Sequence, residues 1–82
     1  MEKPHFFRYD VIGVNNHKEV TEFNNLLTGI EDVLQVSLNN EYTLVYIEMT
    51  KIITVQEFNC AIQPKFKLEN EVNMGFLMRF FP

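Results

Sequence analysis

Two apolar helical stripes recur in this chain at the same internal spacing, and that repetition restricts its fold more than any single motif. Val20, Phe23, Leu26 and Leu27 lie 35 positions before Val55, Phe58, Ala61 and Ile62. Within each set, recurrence at i, i+3 and i+7 places apolar side chains on one face of a helix. Gly29 stands after the last turn of the first stripe, while Thr54 opens the second and Pro64 ends it. Alternating segments flank both stripes. Phe7, Tyr9 and Val11 alternate in "FFRYDVIGV" (6–14) before Gly13 breaks the run. Leu34, Val36 and Leu38 alternate, Asn39, Asn40 and Glu41 supply turn chemistry, and Val45 and Ile47 alternate again. "KFKLE" places Phe66 and Leu68 between charges, giving a fourth strand. The order is βαββαβ, two βαβ halves joined by a hairpin.

An 82-residue chain forms a single core, because a chain of this size buries only about 60% of its unfolded surface. Crossovers in βαβ units are right-handed, so both helices pack on one face of a four-stranded antiparallel sheet. The expected fold is therefore an α+β ferredoxin-like sandwich over residues 1–72, with an apolar carboxyl-terminal tail at 73–82. The second sheet face is left open, carrying Arg8, Tyr42, Leu44 and Tyr46. Leaving such side chains bare is unfavourable. The tail, with Phe76, Leu77, Phe80 and Phe81, is expected to cover that face, to add an edge strand, or to meet a protein partner or a second copy of the chain.

The formal charge of −4 arises from 11 acidic against seven basic residues, scattered without a basic stripe. Nucleic-acid binding rests on phosphate contacts from Lys and Arg, so this distribution argues against such a partner. It equally lacks a polybasic membrane anchor. No stretch approaches the roughly 20 apolar residues of a membrane span, and the first ten residues lack a signal-peptide core. A cytoplasmic protein is expected. The lone Cys60 rules out an intrachain disulfide and any cysteine-only zinc site.

"VIGV" at the end of the first strand and "GIEDV" after the first helix, with the βαββαβ order, resemble the heavy-metal-associated domain of copper chaperones and metal-transporting ATPases. The resemblance covers about residues 6–69. It implies a metal loop of the form G-M-x-C-x-x-C, in which two thiolates hold a soft ion at a helix start. Laid on Gly13 and Val14, those cysteine positions fall on Asn16 and Glu19. Neither substitutes for a thiolate. The pair instead suits a capping box, with the Asn16 side chain accepting from the Glu19 amide and the Glu19 carboxylate from the Asn16 amide. "TVQE" at Thr54–Glu57 repeats that pattern.

His17 beside them is a candidate nitrogen ligand, though a single imidazole needs a second strong donor. Cys60 is a candidate thiolate, placed on the flank of the second helix as a small, half-buried residue. Of the methionines, only Met74 and Met78 fall close together. No cofactor is assigned; a transition-metal ion held by His17, Cys60 and methionines is the competing possibility. Tyr42 and Tyr46 resemble the aromatic platform of RNA-recognition modules, but a Lys/Arg-Gly-aromatic motif is missing and the net charge has the wrong sign. Asp10, Glu31, Asp32 and Glu48 are scattered over different elements, so no enzyme is expected. The expected role is an accessory or interaction module in metal handling whose metal loop is degenerate. The alternative is a homo-oligomeric or partner-binding scaffold unrelated to metals.

Overall fold

The computed structural model describes residues 4–74. Its elements are β1 (His5–Ile12), α1 (His17–Thr28), β2 (Val33–Leu38), β3 (Leu44–Met49), α2 (Val55–Ile62) and β4 (Lys67–Asn73). The strands form one antiparallel sheet in the order β2-β3-β1-β4. This is the ferredoxin-like arrangement expected from the two matched halves.

The alternation of β1 is met: Phe7, Tyr9 and Val11 are buried, and Val45, Ile47 and Met49 of β3 are fully so. Phe23 and Leu27 of α1 and Phe58 and Ile62 of α2 close the core from the helix side. Two edge-to-face aromatic pairs tie that side to the sheet side. Tyr9 meets Phe58 at 5.6 Å and Phe23 meets Phe66 at 5.3 Å between ring centroids. Each such pair contributes about 0.5–1.5 kcal/mol beyond the area it buries. Asn59 adds a polar link: its amide nitrogen donates to the Leu68 carbonyl at 3.1 Å and its carbonyl accepts from the Leu68 amide at 2.8 Å.

Three sequence expectations are corrected. Leu34 does not share the inward face of β2, because the register slips between Val33 and Gln35. One extra residue reverses facing beyond the bulge, so Val33 packs on the core while Leu34 stays 55% exposed. Tyr42 is not on the open sheet face. It precedes β3 at φ 61, and this left-handed conformation turns its ring onto the core cluster. Cys60, expected half-buried, is exposed.

Asn39 closes the β2–β3 turn, its side-chain oxygen accepting from the Thr43 and Leu44 amides. Phe66 is buried just ahead of β4, and β4 itself runs through Asn73. The Met74 amide still donates to the Phe6 carbonyl. The tail residues Phe76, Leu77, Phe80 and Phe81 lie outside the described residues.

Candidate functional site

The loop between β1 and α1 begins at Gly13, whose φ of +105 is open to glycine and strained for other residues. A Cβ there would stand 2.3 Å from the Lys65 carbonyl oxygen, so the loop lies directly against the chain entering β4. Asn16 is the N-cap of α1, its side chain accepting from the Glu19 amide at 2.9 Å. The second half of the expected box is displaced by one residue. The Glu19 carboxylate accepts from the Asn15 amide at 2.9 Å rather than from that of Asn16. The reason is local: the Asn16 backbone is more extended (φ −155) than that of Thr54 (φ −72), which turns its own amide away. At Thr54 the box is complete, with Thr54 and Glu57 each receiving the other's amide.

Surface ion pairs link α1 to the segment ahead of β4. Lys65 donates to Glu22 at 2.7 Å and stands 3.8 Å from Glu19, while its ammonium lies 5.6 Å from the Phe66 ring centroid. The hydrogen bond to Glu22 leads, and the charges of Glu22 and Glu19 add to it; together they lift the Lys65 pKa above its usual value against some desolvation. Glu19 therefore serves two contacts, a backbone amide and a cation. His17 sits exposed in the first turn of α1, and Cys60 sits exposed on α2. Among the described residues, no group of three or more His, Cys, Asp or Glu side chains converges as a metal site. The structure brings Asn16 and Glu19 together and leaves His17 and Cys60 on separate helices.

The second candidate is the sheet face away from the helices. Cross-strand partners share a face, so rows can be read from the register. Ser37, Tyr46, Arg8 and Val72 form one row, Leu44, Asp10 and Glu69 another, and Gln35, Glu48 and Phe6 a third. Ile12, 48% exposed, stands opposite Lys67 at one end. Apolar and charged residues are thus interspersed, and Asp10 is held by the Asn70 amide at 2.6 Å. Tyr46 and Leu44 lie where the sequence placed them, without Tyr42. Sequence reasoning missed Asn59 and Lys65, whose partners are distant in the chain; Asn59 reads as a polar helix residue and Lys65 as a loop charge. No helix among the described residues is long and apolar enough to cross a membrane. No family model, curated protein or solved structure gives a significant match to this chain.

Proposed function

We propose that this chain is a protein-interaction module built on a heavy-metal-associated-like framework, acting as an accessory in metal handling rather than as an ion carrier. The observation that carries this reading is the engagement of the loop: both residues at the cysteine positions are already bonded, Asn16 to the Glu19 amide and Glu19 to the Asn15 amide and the Lys65 cation. A helix start so arranged supplies no soft ligand for such an ion. The open sheet face then offers the surface for a partner, with Phe6, Leu44, Tyr46 and Val72 as apolar anchors among Arg8, Asp10, Glu48 and Glu69. Interspersed charge of both signs on an apolar patch favours a protein partner over a lipid surface or nucleic acid. The metal-handling setting follows from the resemblance of "VIGV" and "GIEDV".

Paired affinity capture tests the reading, with wild type, His17→Ala and Tyr46→Glu as baits. A polypeptide retained by wild type and His17→Ala but lost from Tyr46→Glu is the expected result. Retention that depends on His17 and added metal, and ignores Tyr46, would overturn it.

A further inference from the structure

The order β2-β3-β1-β4 leaves two sheet edges, and they are built differently. β4, "KLENEVN", carries Lys67, Glu69 and Glu71, pairs Lys67 with Glu69 at 3.1 Å, and is interrupted by a register shift in which Asn70 takes φ 55. Charges and a bulge are devices that keep an edge from pairing with another chain. β2, "VLQVSL", has no charge and no proline. Its bulge lies at its start, between Val33 and Gln35, so Val36–Leu38 remains regular. Among the described residues, no strand lies on its outer side.

We propose that the free edge of β2 pairs with the same edge of a second copy of this chain, antiparallel about a two-fold axis at Ser37. The contact is made by the backbone edge of β2; the Ser37 side chain borders the sheet face assigned to a partner above, beside Tyr46. The register follows from the ladder. The Asn39 amide donates to the Leu44 carbonyl at 3.0 Å, while the Leu44 amide turns to the Asn39 side chain; that single backbone bond sets the phase of the ladder, with Asn39 and Leu44 at a bonded position. Bonded and non-bonded pairs alternate, so Ser37 and Tyr46 are bonded, while Val36 and Leu38 turn their N–H and C=O groups to the free edge.

Placing Ser37 opposite its own copy sets Val36 against Leu38 of the second copy and the reverse. Every outward group of the regular stretch then finds a partner. Centring the axis on Val36 instead would set Leu38 against Leu34, inside the bulge. The side chains agree with the Ser37 register. Val36 and Leu38 are half-buried on the core side, so their apposition covers apolar flanks that the single copy leaves wet. The exposed Ser37 hydroxyls meet on the other side, where cross-strand serines can hydrogen-bond. No like charges are opposed. One six-residue edge is far smaller than the ~800 Å² per partner of a standard interface, so the pairing is weak and concentration-dependent.

Sedimentation equilibrium on the full chain from roughly 1 μM to 1 mM reads this directly. Wild type is expected to move from monomer towards dimer, and Ser37→Lys to remain monomeric with an unchanged melting temperature, because it sets like charges across the axis without touching the ladder. A second variant serves as a positive readout: in a Cys60→Ala background, Ser37→Cys is expected to crosslink readily on mild oxidation, since non-bonded antiparallel pairs approach to about 4.5 Å between Cα atoms. A wild-type chain that stays monomeric to the highest concentration overturns the proposal. So does a dimer that survives Ser37→Lys. A dimer abolished by Tyr46→Glu overturns it too, whatever Ser37→Lys does, because Ser37 borders Tyr46 on the sheet face and a dimer through that face would lose both.

Discussion

Replacing Tyr9 with phenylalanine should stabilise the protein. Tyr9 is fully buried at the centre of β1, its ring edge-on to Phe58 and stacked on Phe7 at 6.3 Å, and its hydroxyl finds no hydrogen-bond partner among the described residues. A buried, unsatisfied hydroxyl costs about 1–3 kcal/mol in lost hydration. Removing it leaves a void the size of a single oxygen, worth a few tenths at about 24 cal/mol per Å³ of residual cavity. The net expectation is a gain of about 1–2 kcal/mol, or a rise of about 4–8 °C in Tm for each kcal/mol in a domain of this size.

A pH signature accompanies the gain. Burial, and secondarily the negative charge of Glu71, pushes the Tyr9 pKa far above its usual value. Between that usual value of about 10 and the raised one, the folded state keeps a proton that the unfolded chain releases. Ionisation of this group therefore leaves wild-type stability unchanged below about pH 10 and lowers it as pH rises above that value, at up to 1.36 kcal/mol per pH unit. Urea unfolding of both proteins at pH 7 and across pH 10–12 measures both effects, and the variant should lose less stability on the alkaline side. A variant destabilised by more than about 0.5 kcal/mol at pH 7, with an alkaline limb matching wild type, would show that the hydroxyl is satisfied and refute the reasoning.

Gly13→Ala should cost about 2–3 kcal/mol or more in thermal or urea unfolding, since the added Cβ meets the Lys65 carbonyl at a φ of +105. Asn16→Ala and Thr54→Ala should each cost about 0.5–2 kcal/mol; if both are silent in urea, the helices start elsewhere. Asn59→Ala should cost about 1–3 kcal/mol and speed amide exchange at Leu68, because it removes both bonds to that part-buried backbone.

The fold was legible because its signals are local and agree with one another. Phe7, Tyr9 and Val11 announce a strand face by period two, Phe23 and Leu27 with Phe58 and Ile62 announce helix faces, and the matched spacing of the stripes dictates the two halves. What escaped depends on pairing between distant segments. The slip that exposes Leu34 is decided by how two residues of β2 share Glu48 of β3. The inward turn of Tyr42 needs a left-handed backbone that nothing in "NNEYT" demands of tyrosine. At the candidate loop the cap was readable, since Asn16 and Glu19 are three residues apart. The shift of its second bond to Asn15 depends on one backbone angle, and the link from Glu19 to Lys65 crosses from α1 to the start of β4.

If residues 14–19 are a helix start instead of an ion site, as proposed, competition for Cu(I) against a high-affinity chelator decides it. Wild type is expected to release all Cu(I) to the competitor, with His17→Ala and Cys60→Ala behaving identically. A stoichiometric Cu(I) retained by wild type and lost from Asn16→Ala or His17→Ala would contradict it.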